Sequence, residues 1–140
     1  MDRTFKRDLD QLGPVFAFLD GFADELGLGM PIVLPVRLAI EELFTNMVRH
    51  NSQSKSEITI SLDRHGDNVV VILTDHDVEQ PFDPTKHREV DTTADLDDRD
   101  AGGLGIHLVK HMVDEIHYHY SAIDRRSQIT LIKSMNSQHA

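Results

Sequence analysis

The sequence contains no cysteine and no long apolar run. Without cysteine the chain cannot form a disulfide, a thiolate zinc site or a cysteine nucleophile, and this absence is consistent with a reducing cytoplasm. No apolar stretch approaches the roughly 18 residues of a membrane span, and the first residues run into no apolar segment of a secretory signal. We therefore expect a soluble, cytoplasmic chain that contacts no membrane.

Basic residues are also scarce, because 14 lysines and arginines stand against 24 acidic residues and the net charge is −10. A surface of this sign repels a phosphate backbone, so we expect no direct contact with nucleic acid. The 140 residues, of which 39% are apolar, suffice for one ordinary core. The expected organisation is a single domain over residues 1–140.

Apolar periodicity predicts the order helix, helix, two strands, long loop, helix, two strands. The first helix runs over residues 9–26 and ends at glycines, and the second starts at Pro35 with an apolar stripe. The hairpins fall at 58–73 and 116–132. This order predicts an α/β two-layer sandwich, with a mixed, mainly antiparallel sheet and helices on one face.

The second helix carries Glu42 and Asn46 away from its apolar stripe. Residues four apart share one helix face, so a carboxylate base and a carboxamide that serves a metal-bound nucleotide could share one site. Taken alone, the pair also fits a solvated helix face.

Two further features could bind a nucleotide. The glycines at 102, 103 and 105 open the third helix, where free N–H groups and the helix dipole favour an anion, although a tight loop would also need glycines. No Gly-x-x-x-x-Gly-Lys run occurs, which excludes a P-loop. Asp75 ends a predicted strand, where it could accept a hydrogen bond from an amine such as that of adenine, or simply form a turn.

In this order, the three motifs resemble those of the GHKL (Bergerat-fold) ATPases, and most closely those of the bacterial anti-sigma-factor serine kinases. Residues 41–50 resemble the N box, Asp75 with residues 81–84 the first glycine box, and residues 102–110 the second. The resemblance covers nearly the whole chain.

The resemblance implies a role for each motif. Glu42 would be the general base toward a partner's serine hydroxyl, Asn46 would hold the Mg²⁺ of ATP, and Asp75 would recognise adenine. The segment 85–101 is long and acidic and lies between the two glycine boxes, so we expect it to be an ATP lid. The expected nucleotide-binding residues are Asn46, Asp75, Phe82, Gly102, Gly103, Leu104, Gly105 and Ile106.

The first glycine box departs from the family's usual Asp-x-Gly, because the chain reads Asp75-His-Asp77. We expect Asp77 to take the left-handed position, since aspartate tolerates it better than most residues. Either the loop reroutes and the pocket is preserved, or nucleotide affinity and catalysis are reduced.

The resemblance also implies partners. The expected protein is a homodimer that phosphorylates an anti-anti-sigma antagonist and sequesters a sigma factor. The expected partner surface includes Arg3, Lys6, Arg7 and the first helix, whose apolar residues could instead simply cover the sheet. These apolar residues are Leu9, Leu12, Phe16, Leu19, Phe22 and Leu26.

Three alternatives remain. A non-catalytic module would keep the fold, and with it nucleotide binding, but regulate by protein contact alone. A detached histidine-kinase ATPase domain is disfavoured because the family's dimerisation helix with its phosphoacceptor histidine is missing. A zinc protein built on His107 and His111 is disfavoured because no HExxH pattern accompanies them.

Overall fold

The computed structural model of the protein describes residues 1–50, 54–78, 83 and 101–136, without the side chains of 101–106. Phe82 and the predicted lid, apart from its last residue, lie outside the described residues. The elements are β1 Asp2–Phe5, a 3₁₀ turn Leu9–Gln11, α1 Leu12–Leu26, α2 Met30–His50, β2 Ile58–His65, β3 Asn68–Asp75, α3 Ala101–Met112, β4 Glu115–Ser121 and β5 Arg126–Ser134.

The strands form a five-stranded sheet in the order β1-β2-β3-β5-β4, and every described pair is antiparallel. The predicted hairpins are confirmed as β2–β3 and β4–β5, and the α/β fold class is confirmed. Strand β1 was not predicted. It has only four residues, of which Phe5 alone is buried, so it shows no apolar alternation.

The core lies between the sheet and the helices. Alternate residues of β2, β3 and β5 are buried, as expected for strands with one face in the core. The helices contribute their apolar stripes. The buried apolar residues of α1 and α2 are Val15, Leu19, Phe22, Ala23, Ile32, Val33, Val36, Ala39, Ile40, Leu43, Phe44 and Met47.

The apolar residues of the first helix mostly cover the sheet. Leu19 and Phe22 are buried, and Leu12, Phe16 and Leu26 are partly buried against the core. Leu9 is the exception at 41% exposure, and it lies in the 3₁₀ turn before α1. Most of this stripe therefore packs against the core, as the alternative that its residues simply cover the sheet predicts, while Leu9 stays exposed.

The end of α1 has a clear backbone cause. Gly27 ends α1 with φ of 64°, and the N–H of Leu28 donates to the carbonyl of Ala23 at 3.0 Å, which is a glycine-dependent helix ending. Helix α2 begins at Met30, so its predicted start at Pro35 is wrong. The helix continues through Pro35, although proline has no backbone N–H to donate to the carbonyl one turn earlier.

Candidate functional site

Helix α2 carries Glu42 and Asn46 one turn apart. Glu42 is half-buried, whereas Asn46 is only 5% exposed. Within the described part of the chain, neither the Oδ1 nor the Nδ2 atom of Asn46 has a hydrogen-bond partner. Leaving a buried polar group unpaired costs about 1–3 kcal/mol. Asn46 therefore does not lie on a solvated face, and its carboxamide is the kind of group that a ligand satisfies.

Asp75 is the last residue of β3 and is buried. Its carboxylate forms an ion pair with Arg7, in which Nη2 contacts Oδ1 and Nη1 lies 3.4 Å from Oδ2. The same Nη1 donates to the carbonyl of Met47 at 2.7 Å. Because Met47 follows Asn46 on α2, a single guanidinium joins the N box to the end of β3.

The position of Arg7 corrects the expected partner surface. Its side chain is only 4% exposed, so it lies inside the molecule and not on a docking face. Sequence reasoning missed this role because nothing in the local pattern of the first residues predicts a contact with residue 75. Arg3 and Lys6 are exposed, as expected.

Two hydroxyl-bearing residues near Asp75 were also missed. Ser127 of β5 is buried and is the cross-strand partner of Asp75. Tyr118 of β4 has a buried hydroxyl without a hydrogen-bond partner of normal geometry among the described residues. Burial raises the pKa of Tyr118, the carboxylates of Asp83 and Asp75 add to this rise, and the nearby Ser127 hydroxyl partly offsets it.

The loop after β3 takes the left-handed turn that was expected of it. Asp77 has φ of 59°, in the region that glycine would adopt freely. The next residue is anchored to the β4–β5 hairpin, since the N–H of Val78 donates to the carbonyl of Arg125 at 2.8 Å. Its carbonyl accepts from the Tyr120 hydroxyl at 2.7 Å. The loop therefore leaves Asp75 along a fixed path without a glycine.

The second glycine box, residues 102–110, lies within α3, which begins at Ala101 and packs against α2. Gly102 and Gly103 therefore lie at the helix N-terminus, where unpaired N–H groups favour an anion, whereas Gly105 lies beyond the first turn. The side chains of Leu104 and Ile106 are not described. The N box and the second glycine box thus occupy neighbouring helices.

His107 and His111 stack edge to face on α3 with ring centroids 5.0 Å apart, and both are exposed. Among the described residues, no three potential ligands of the His, Cys, Asp or Glu type come together as a metal would need. No helix in the described ranges is long and apolar enough to cross a membrane.

This fold and the order of its motifs are those of a class of nucleotide-binding protein domains. The chain belongs to the histidine kinase-like ATPase domain family, because residues 5–133 match that family. The predicted membership of the GHKL superfamily is thereby confirmed.

Among curated proteins, the chain is similar to enzymes named serine-protein kinase RsbW. It is 28% identical over 120 residues to that of Halalkalibacterium halodurans, with 83% of this chain and 73% of that protein covered. It is 27% identical over 111 residues to that of Bacillus velezensis, with 76% and 69% covered. The solved histidine kinase AdeS of Acinetobacter baumannii shares the fold at a TM-score of 0.50 and 16% identity, over 98% of this chain and 68% of that one.

Proposed function

We propose that this chain is an ATP-dependent protein serine kinase and anti-sigma factor of a partner-switching system. The observation that carries the proposal is the buried Asn46, which has no partner for its carboxamide among the described residues and lies one turn after Glu42. The similarity to serine-protein kinases supports the same reaction.

Each part of the nucleotide would have its own group. The Asn46 oxygen is a hard donor of the kind that Mg²⁺ prefers, so this residue suits a metal ligand. The N–H groups at the N-terminus of α3 would donate to phosphate oxygens, and Asp75 would accept a hydrogen bond from the adenine amine. Bound Mg²⁺ would neutralise charge on the phosphates.

Glu42 would act as the general base of the transfer. It takes the proton of the partner's serine hydroxyl while the serine oxygen bonds to the γ-phosphorus of ATP. The bond from that phosphorus to the bridging oxygen breaks, and ADP leaves. Protein groups mainly position the reactants in such a transfer.

The backbone of Asp77 supports a preserved nucleotide pocket in spite of the altered first glycine box. It adopts the left-handed backbone that the family's glycine would provide, so the loop still turns directly after Asp75. The missing glycine therefore does not require a collapsed site.

The proposed partners are a sigma factor and an anti-anti-sigma protein with the target serine, and the proposed assembly is a homodimer of this single-domain chain. The exposed cations Arg3 and Lys6 remain on the proposed partner surface. Sedimentation at micromolar concentration tests the assembly, and a species of 15.9 kDa at every concentration rejects the dimer.

The decisive experiment has two stages. Calorimetry with Mg-ATP should show binding, and the absence of both heat and a thermal shift would reject the pocket. The protein, captured with its antagonist from the native host, is then incubated with Mg-ATP. Mass spectrometry should find one phosphoserine on the antagonist, whereas binding without transfer would support the non-catalytic alternative.

A further inference from the structure

Arg7 makes polar contacts with two described parts of the site, although no nucleotide role was expected for it. Its side chain and that of Asp75 are 4% and 5% exposed. The two terminal guanidinium nitrogens contact both oxygens of Asp75 and the carbonyl of Met47, whereas Nε has no partner among the described residues. The carboxylate is therefore held at two points by one rigid cation.

The strand register explains how Arg7 reaches this position. Phe5 is the cross-strand partner of Ile58, and Ile58 is the partner of Asp75. These three residues form one row across β1, β2 and β3. Arg7 follows Phe5 by two residues, and its side chain contacts Asp75 in the same row, two strands away from β1. The buried Phe5 anchors the start of this path.

A two-point contact matters because an aspartate carboxylate otherwise rotates over a broad range about its terminal bond. A guanidinium that holds both oxygens fixes the plane of the carboxylate. An ionised carboxylate offers about four acceptor positions, and two guanidinium contacts occupy only some of them. The carbonyl of Met47 fixes the guanidinium relative to α2 as well.

We propose that Arg7 is a positioning residue for base recognition. By clamping Asp75, it aims the carboxylate at the amino group of adenine and so sets the preference for adenine over purines without that group. This inference rests on the proposed function, because it assumes that ATP enters the site. The N-terminal segment thereby becomes part of the nucleotide pocket.

The test compares ATP with purine riboside triphosphate, which lacks only the amino group. Calorimetry gives both dissociation constants for the wild type, Arg7→Lys and Arg7→Gln. We expect the wild type to prefer ATP by roughly 10- to 100-fold, which is the usual effect of one hydrogen bond to a charged group. Both variants should lose most of this preference through weaker ATP binding, while their affinity for the analogue changes little.

Lys6→Gln is the matched control, since it removes a neighbouring exposed cation and should keep the wild-type ratio. Thermal melting identifies the variants that fold. If Arg7→Gln does not fold, Arg7→Lys serves as the test variant, because it keeps the buried positive charge. Equal loss for both nucleotides would reduce Arg7 to a structural role and overturn the inference. Tighter ATP binding by the variants would overturn it too, by showing that Arg7 competes with the base.

The outcomes separate the two proposals. A wild type that binds neither triphosphate refutes the proposed function, and the inference falls with it. A wild type that prefers ATP while both Arg7 variants keep the same ratio refutes the inference alone. A wild type that binds both nucleotides equally also refutes it, because no amine recognition then exists for Arg7 to support.

Discussion

Asp77 and Arg125, which both hold left-handed backbone, lie against each other. Their φ angles are 59° and 52°, and in the described ranges no other non-glycine residue has a positive φ. The Arg125 guanidinium is 3.6 Å from the Asp77 carboxylate. The exit of β3 and the β4–β5 turn thus concentrate backbone strain in one place, beside the candidate site.

Replacing Asp77 tests this strain. Asp77→Gly should change the free energy of unfolding by no more than about 1 kcal/mol, because glycine removes the strain but makes the unfolded chain more flexible. Asp77→Val should lower it by about 1–2 kcal/mol, since a branched side chain fits left-handed backbone poorly. Urea unfolding measures both variants. Asp77→Asn is the control for the half-exposed ion pair, and a valine variant as stable as it would contradict the strain.

Asn46 should show a trade between stability and binding. Asn46→Leu replaces an unpaired buried carboxamide by an apolar group of similar size, so the nucleotide-free protein should gain about 1–2 kcal/mol of unfolding free energy. Mg-ATP should no longer raise its melting temperature. Thr45→Val, which replaces a hydroxyl by a methyl group at the preceding residue, should keep the nucleotide effect. A destabilised leucine variant would show that the carboxamide has a structural partner.

Glu42→Gln should separate binding from transfer. Loss of a general base typically slows proton-coupled chemistry by about 10²- to 10⁴-fold, whereas the isosteric amide should leave ATP affinity nearly unchanged. Single-turnover phosphorylation of the antagonist measures the rate. Glu41→Gln is the control, because Glu41 points about 100° away on the helix. Equal rates for the wild type and Glu42→Gln would exclude the assigned role.

Tyr118 should ionise at a higher pH than an ordinary tyrosine. Burial raises the pKa of Tyr118 above 10.0 in the folded protein, so folding favours the neutral phenol. The stability that the neutral phenol contributes is therefore present below pH 10.0 and is lost as the pH rises through the pKa of the folded protein. Absorbance at alkaline pH should therefore show a delayed titration that Tyr118→Phe removes. The variant should also lose less stability above pH 10.0, and unchanged alkaline unfolding would count against a buried phenol.

Local patterns in the sequence predicted much of the fold. Gly27 ends α1 because glycine adopts left-handed backbone freely, and the β2–β3 turn has its glycine at residue 66 with φ of 63°. Both features depend on a few consecutive residues. The N box was likewise found from spacing on one helix face.

The misses depend on contacts between distant residues. Strand β1 is too short to show alternation and exists because it pairs with β2, more than 50 positions later. The buried contact of Arg7 joins it to Asp75, 68 positions later in the sequence. Pro35 misplaced the start of α2 because proline at a first turn is the more common arrangement. The nucleotide roles of the matched residues remain predictions.

The strand order β1-β2-β3-β5-β4 also has a kinetic consequence. The two hairpins close short loops, whereas the β1–β2 and β3–β5 pairings join residues far apart in sequence and must overcome a larger loop-closure entropy. We therefore expect the hairpins to gain protection early in refolding, and the contact between Arg7 and Asp75 to form late. A chain arrested before that last step would have most of its secondary structure but an unfinished pocket.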